Sequence, residues 1–204
     1  MAPPRESELN QNINTRTQAL NIPAEALEVI QFWRDAGPKR WFAKDDAFDA
    51  DIRRRFLPAV EAAQTGRLDG WGQTADGALA LMLLLDQFPR NLFRGSPQAF
   101  AGDATARERA DAAIAAGFDR AVAPELRPFF YLPFMHSETL ADQERSLELY
   151  RTLHAEGGTD NRAFAEDHHA IIARFGRFPH RNAVLGRAAT PEEQAFLDDG
   201  GFKG

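Results

Sequence analysis

Asp86 is the carboxylate whose position most needs a partner. It follows the longest apolar run of the chain, residues 78–85, so a helix through that run places it in a buried last turn. A negative charge at a helix C-terminus opposes the helix dipole, and burial raises its cost further. The sequence offers three cationic partners: Arg90, Arg177 and Arg181. The resulting pair could pin two turns together, or it could belong to a catalytic site.

These arginines lie in two similar turns, QFPRN at 87–91 and RFPHRN at 177–182, whose similarity favours an internal duplication. Proline ends a helix and asparagine tolerates left-handed dihedral angles, so the turns themselves need no functional explanation. The arginines of two packed turns could converge on a carboxylate or phosphate, or they could satisfy helix C-terminal carbonyls and acidic neighbours. The anion-binding hypothesis assigns the ligand to seven residues: Arg90, Asn91, Arg94, Arg177, His180, Arg181 and Asn182.

A third segment suited to chemistry is YLPFMHSE at 131–138. Ser137 is predicted to cap a long helix, with Glu138 favourably placed in its first turn. His136 then lies just before the helix, where a nearby acid could tune its protonation, or it is simply a partly buried histidine beside a capped helix start. A catalytic site would use four residues as acid, base or orienting group: Asp86, His136, Glu138 and His168.

The pair His168–His169 suggests a metal site, but its spacing does not support one. Neighbouring histidines of a helix point apart, and neither has a ligand partner three or four residues away. His168 could approach His136, Glu138 and Asp86 through space, which keeps a metal-dependent hydrolase as an alternative. The sequence contains no glycine-rich nucleotide loop and no common hydrolase motif, so we predict no metal and no cofactor.

The elements that must position these residues are predicted to be helices throughout. Their starts follow from proline and capping residues, and their ends from glycine. The predicted landmarks are Pro23, Asp45 or Asp46, a kink or restart at Pro58, Gly66, Thr74, Ser96–Pro97, Gly117, a short helix within Pro124–Phe130, Ser137 to Leu153, Thr159 to Gly176, and a capping box at Thr190–Glu193. No segment shows strand alternation, so the predicted fold class is all-α.

Apolar residues at helical spacing predict which faces are buried. The predicted stripes are Leu27, Ile30 and Trp33 (or Val29 and Phe32) in the first helix, Phe48, Ile52 and Phe56 in the second, and Leu140, Leu147 and Tyr150 or Leu149 in the long helix after Ser137. The aromatic residues interpreted as core, rather than as a platform for nucleobases, are Trp33, Trp41–Phe42 and Trp71.

Composition bounds the class of protein. The chain has 204 residues, 44% of them hydrophobic, which suffices for one well-cored domain. Its net charge of −6 disfavours bulk binding to nucleic acid or to an anionic membrane. Because the sequence has no membrane-length apolar stretch, no signal core and no cysteine, we expect a cytoplasmic protein. Residues 1–22 are predicted to be a flexible polar tail, and residues 23–204 a single all-α domain.

Eight stretches carry a resemblance to a known family: FW at 32–33, WFAKDDAFDADIRRRF at 41–56, LDQFPRNLFRG at 85–95, YLPFMHSE at 131–138, QERS at 143–146, FGRFPHRN at 175–182, LGR at 185–187 and TPEE at 190–193. By these stretches, residues 26–198 resemble the bacterial family catalogued as domain of unknown function 924. The resemblance implies a single compact domain built as a tetratricopeptide-like array of antiparallel helical hairpins. It also places His168 at the family's usual histidine position, and it implies no particular activity.

Two classes of function remain besides the hydrolase. We favour a site for a small anionic ligand, with or without catalysis, because the unusual residues gather in turns and at helix ends. The alternative is a tetratricopeptide-like module whose concave surface binds a peptide or protein, and such a module predicts exposed apolar or asparagine-rich groove positions. The sequence does not indicate the ligand or the oligomeric state.

Overall fold

The computed structural model describes residues 22–202, so the predicted polar tail lies outside the described residues except for Ile22. Within residues 22–202 the chain forms ten α-helical segments and no strand, which confirms the all-α fold class. The segments are α1 (Ala24–Ala36), α2 (Pro38–Trp41), α3 (Asp46–Gln64), α4 (Ala75–Met82), α5 (Phe88–Leu92), α6 (Asp103–Ala115), α7 (Leu132–Met135), α8 (Leu140–Ala155), α9 (Arg162–Phe175) and α10 (Pro191–Asp198). Short 3-10 turns lie at Asp69–Gln73, Pro97–Phe100, Phe118–Arg120, Arg127–Phe130 and Pro179–Arg181.

The main core surrounds α4, which is buried from Gly77 to its end, as the apolar run predicts. Trp33 lies within an aromatic cluster, stacked on Trp41 with 6.1 Å between ring centroids. These two tryptophans and Trp71 are buried, which confirms their interpretation as core. Phe42 was predicted to join them but is 66% exposed, because it follows the last residue of α2 and faces outward.

Three predicted helix starts are confirmed by side-chain caps. Asp45 accepts a hydrogen bond from the Phe48 backbone N–H at 3.0 Å, and so begins α3. Thr74 caps α4 through the same kind of hydrogen bond, 3.1 Å long. At α10, Thr190 and Glu193 form the reciprocal capping box. Each cap stabilises its helix by about 1 kcal/mol and fixes where the helix begins.

The predicted buried faces are wrong at two leucines. Leu27 is 46% exposed and Leu140 is 44% exposed. Leu140 is the first residue of α8, where the helix has not yet reached the core, whereas Tyr150 is fully buried. In α1 the buried face is the neighbouring one, formed by Ala26, Val29, Ile30, Phe32 and Trp33.

The start of α8 also differs from the prediction, because Ser137 does not cap it. The Ser137 hydroxyl accepts from the Thr139 backbone N–H at 3.2 Å and donates to Asp142 at 2.6 Å, within a loop before the helix. Glu138 therefore precedes the helix instead of lying in its first turn. The loop frees the Glu138 carboxylate to contact other segments.

One further boundary was predicted incorrectly, and two correctly. α9 begins at Arg162 instead of Thr159. α3 continues through Pro58 without restarting, which leaves the predicted kink as the alternative there. Gly66 and Gly176 end their helices as predicted, with φ angles of +77° and +68° that favour glycine.

Within the described residues no helix has the length and apolarity needed to cross a membrane. The tetratricopeptide-like arrangement and the domain boundary at residue 23 remain predictions.

A π-helical turn, Leu83–Gln87, joins α4 to α5 and contains Asp86. The Phe88 N–H bonds the carbonyl of Leu83, five residues earlier instead of four. Pro89 was predicted to end the helix, but the chain stays helical through α5. Pro89 lies two residues after this wide turn, and the chain is helical on both sides of it. Such turns inside α-helices occur frequently at functional sites.

Gly102 packs against the backbone carbonyl of Leu85, the group to which Pro89 has no N–H to donate. A Cβ at residue 102 would overlap that oxygen, so Gly102→Ala must shift α6 or the π turn. We expect this substitution to lower the free energy of unfolding by about 1–3 kcal/mol in urea titrations. Gly70→Ala is the matched control, because its Cβ would meet nothing within 4 Å. Equal stability of the two variants would contradict the prediction.

A second apolar cluster, separate from the main core, contains Ile171, Ile172 and Phe178. It lies on α9 and the turn that follows it, and α9 packs beside α8 across a short connection. The predicted site residues come from both the main core and the second cluster. Asp86 belongs to the main core, and the residues around Phe178 belong to the second cluster. The candidate site lies where the second cluster meets the main core.

Candidate functional site

Asp86 and His136, both predicted catalytic residues, form a directly bonded pair. Asp86 is 1% exposed, and its Oδ1 lies 2.7 Å from Nδ1 of His136. Burial raises the pKa of Asp86, but the charge of Arg90 and the contact with His136 outweigh it and hold that pKa well below its usual range. An ionised carboxylate only accepts hydrogen bonds, so Nδ1 of His136 carries the proton. Burial and the charge of Arg90 lower the pKa of His136, which leaves its Nε2 an unprotonated acceptor at neutral pH.

Arg90 is the cationic partner that Asp86 was predicted to need. Its Nη1 lies 3.1 Å from Asp86 Oδ1 and donates to the Asp86 backbone carbonyl at 2.6 Å. The same guanidinium makes a two-pronged contact with Asp103, at 3.0 and 3.1 Å. Asp103 was not predicted, because as the first residue of α6 it resembles any acidic residue at a helix start. Asp103 follows Gly102, which packs closely against Leu85 of the π turn.

Arg181 is a buried cation with few partners. Its guanidinium lies between the rings of Phe100 and Phe178, at 4.6 and 4.5 Å from their centroids. The nearest carboxylate oxygen, on Asp103, is 3.6 Å away, and no described residue accepts a hydrogen bond from its buried Nε. Burial and the charge of Arg90 lower the pKa of Arg181 to about 10, so it stays charged at pH 7. A buried charge in this condition is costly.

Two further histidines lie beside this cation. His168 donates from Nδ1 to the Phe164 carbonyl at 2.7 Å, and its ring lies 6.5 Å from that of His136. The ring of His180 lies 5.6 Å from that of Phe178, and its buried Nδ1 has no hydrogen-bond partner among the described residues. Burial lowers the pKa of both His168 and His180 to about 4. Both rings are therefore neutral at pH 7.

The ring of Phe202 covers these two histidines. Its centroid lies 4.7 Å from that of His168 and 5.1 Å from that of His180. The chain reaches this position through a tight turn after α10, in which Gly200 has a φ of +84° and Gly201 has no room for a Cβ. Phe202 was not among the predicted site residues, although a Gly-Gly-Phe sequence follows the last predicted helix.

Successive contacts join the site residues in a closed circuit. Asp86 contacts His136, the ring of His136 faces His168, and His168 lies 5.5 Å from Phe178 between ring centroids. Phe178 carries Arg181, which approaches Asp103. Asp103 binds Arg90, which returns to Asp86. We call this set the arginine–histidine circuit: Asp86, Arg90, Asp103, His136, His168, Phe178 and Arg181.

The two Phe-Pro turns converge as predicted, since Arg90 from the first and Arg181 from the second both approach Asp103. Their local structures differ, however. The first turn continues a helix through the π turn, whereas the second follows the left-handed Gly176 that ends α9. The predicted internal duplication remains a prediction.

Glu138 and Asn182, both predicted site residues, are held by an arginine just outside the circuit. Arg187 donates to both Glu138 oxygens, at 2.6 and 2.9 Å, and to the Asn182 carboxamide oxygen at 3.0 Å. Glu138 also accepts from the Phe178 backbone N–H at 2.8 Å. Burial raises the pKa of Glu138, but the hydrogen bond from Arg187 outweighs it and lowers that pKa overall. These contacts position the second turn beside His136.

Three other predicted ligand residues bind acidic side chains elsewhere. Asn91 and Arg94 both donate to Asp49, at 2.7 and 3.1 Å. Arg177 donates to Glu193 at 2.7 Å, so the prediction that it could pair with Asp86 is wrong. The reason is its place next to Gly176, where the chain reverses and directs the side chain toward α10. Their assignment to a ligand remains a prediction without a contact to the circuit.

Two other features bear on alternatives. Among the described residues no three candidate ligands of the His, Asp or Glu type lie close enough together to hold a metal ion. A surface cavity of about 720 Å³ lies between α1 and α3, where Leu27, Arg34 and Arg55 are among its lining residues. None of the predicted site residues lines it. The chemistry-bearing groups therefore gather in the circuit and not in this cavity.

Comparison with known proteins confirms the resemblance. The family model described as a bacterial protein of unknown function (DUF924) matches residues 29–201. The solved structure of a protein of unknown function from Agrobacterium tumefaciens is 49% identical in sequence and has a TM-score of 0.83. The match covers 88% of this chain and 99% of that one. Among curated proteins, none shows a significant match.

Proposed function

We propose that this chain, which belongs to the bacterial DUF924 family, binds a small anionic ligand at Arg181. The observation that carries the proposal is the hydrogen-bonding deficit of this guanidinium. Buried polar groups are almost always hydrogen-bonded, and a buried charge without a close partner costs several kcal/mol. An oxyanion beside Arg181 supplies acceptors for the fork of donors that the described residues leave largely unused. Arg90 adds a second positive charge nearby, which accords with its effect on the pKa of Arg181.

If Arg181 had a structural role, its removal would lower the free energy of unfolding, because it would leave an acidic partner without a cation. Asp103, however, already has both carboxylate oxygens bound to Arg90. Arg181→Met keeps the apolar stem between Phe100 and Phe178 and removes a charge that is costly to bury. We therefore expect the free energy of unfolding of Arg181→Met to equal or exceed that of the unaltered protein.

Thermal denaturation tests binding and stability together. A ligand at a hundred times its dissociation constant stabilises by about 2.7 kcal/mol, which raises the midpoint by roughly 5–11 °C for a protein of this size. We expect such a shift with small oxyanions, phosphate and sulfate first, and its loss in Arg181→Met. Arg174→Met is the matched control, because Arg174 is exposed and Glu192 is its one carboxylate partner among the described residues. No shift with any oxyanion, or a shift that Arg181→Met retains, would refute the proposal.

A further inference from the structure

We propose that the ligand of this site is a phosphoryl group that still carries a proton, as in inorganic phosphate or a phosphate monoester, and not a fully ionised sulfate or carboxylate. The inference rests on the anion site proposed above and names its ligand class. It follows from the donors and acceptors that the arginine–histidine circuit presents.

The circuit presents acceptors as well as donors. Nδ1 of His136 donates to Asp86, and Nδ1 of His168 donates to the Phe164 carbonyl. Neither partner can donate in return, so in each neutral ring the proton sits on Nδ1 and the lone pair on Nε2. Neither Nε2 has a hydrogen bond to any described residue, and the two ring centroids lie 6.5 Å apart with the ring planes tilted by 51°.

The donors belong to the same circuit. Arg181 and His168 both contact the ring of Phe178. Arg90 and His136 both contact the carboxylate of Asp86. On this inference, a ligand bound by the circuit meets guanidinium N–H groups and imidazole lone pairs together.

Common oxyanions differ in whether they can satisfy such a mixed set. Sulfate and carboxylates carry no proton near pH 7, so they can only accept hydrogen bonds, and their oxygens would face the two imidazole lone pairs unfavourably. A phosphate monoester has a second pKa of about 6, so a fraction with one P–O–H persists near neutral pH, and inorganic phosphate keeps a P–O–H throughout this range. Its ionised oxygens accept from Arg181 and Arg90, and its P–O–H donates to Nε2 of His136 or His168. Transfer of that proton to either imidazole would be unfavourable, because burial lowers the pKa of both His136 and His168.

Isothermal titration of the unaltered protein with methyl phosphate, a phosphate monoester (called phosphate from here on), and with sodium sulfate, at pH 6 and pH 8, tests this. We expect phosphate to bind at least tenfold more tightly than sulfate at pH 6. We also expect phosphate affinity to fall severalfold at pH 8, as the protonated form is lost. Sulfate affinity should change less over the same range. Because this comparison needs no substitution, it does not depend on whether a variant folds.

Two variants locate the acceptor. His168→Phe and His136→Phe keep an aromatic ring and remove one lone pair each, so at least one should weaken phosphate binding about tenfold at pH 6 and leave sulfate binding within twofold. Phosphate affinity that is pH-independent, or no stronger than sulfate affinity, overturns the inference while the anion site stands. Equal losses for phosphate and sulfate in both variants do the same. If neither anion binds, the anion site itself is refuted.

Discussion

Replacement of Asp86 by alanine is expected to lower the free energy of unfolding by about 3–5 kcal/mol, the usual cost of breaking a buried ion pair from one side. The carboxylate is bound by His136, Arg90 and the side chain of Gln87, and it is almost fully buried. Its removal leaves the Nδ1–H of His136 and part of the Arg90 charge without an acceptor. In a protein of this size the loss corresponds to a drop in thermal midpoint of roughly 6–20 °C.

The matched control for this substitution is Asp51→Ala. Asp51 pairs with Arg54, and both side chains are exposed, at 38% and 74%. Exposed pairs contribute about 0–1 kcal/mol, so the control should change stability little. If Asp86→Ala unfolds at the same urea concentration as Asp51→Ala, the pair at Asp86 does not hold the two parts of the fold together.

Acidification is expected to destabilise the protein between pH 6.5 and pH 4. Burial lowers the pKa of His168 and of His180 from 6.5 to about 4. In that window the unfolded chain binds protons that the folded chain excludes, so the free energy of unfolding falls as the pH falls. From pH 7 to pH 5 the loss is about 1–2 kcal/mol for each histidine. Urea unfolding at pH 7, 6 and 5 measures it.

A single substitution assigns this pH dependence. His168→Gln cannot take up the proton, so its stability should fall less between pH 7 and pH 5 than that of the unaltered protein. His154→Gln provides the control, because His154 lies at the surface with 43% of its side chain exposed. A pH dependence that is identical in both variants would show that His168 does not cause the acid sensitivity.

The sequence predicts those parts of the site that depend on contacts between residues a few positions apart in the chain. Asp86 follows an apolar run, and its need for a cation was met by Arg90, which lies one helical turn further on. Caps such as Thr74 and Thr190 were also predictable, because their partners lie three residues away. The resemblance predicted the helical class, which the structure confirms.

The rest of the site depends on long-range packing that no local pattern encodes. The sequence has 30 acidic residues, and nothing near Asp103 marks it as the one that meets Arg90 and Arg181. Arg177 and Arg181 occupy the same turn, and only the three-dimensional path after Gly176 separates the one bound to Glu193 from the one left between two rings. Phe202 was missed because its contact with His168 depends on a reversal after α10.

The π turn makes the length of the α4–α5 segment as important as its residue types. Each residue of an α-helix advances the chain by about 100° around the axis, and the wider π turn absorbs one extra residue without carrying that rotation into α5. Deletion of one residue from Leu83 to Leu85 would therefore restore a regular helix with α5 nearly unmoved, whereas insertion of a second extra residue would rotate α5 by about 100° relative to α4. Every side chain of the circuit would survive that insertion, yet Asp86 and Arg90 would no longer face His136 and Asp103. Relatives that share these residues but carry one more residue here would therefore lack the circuit.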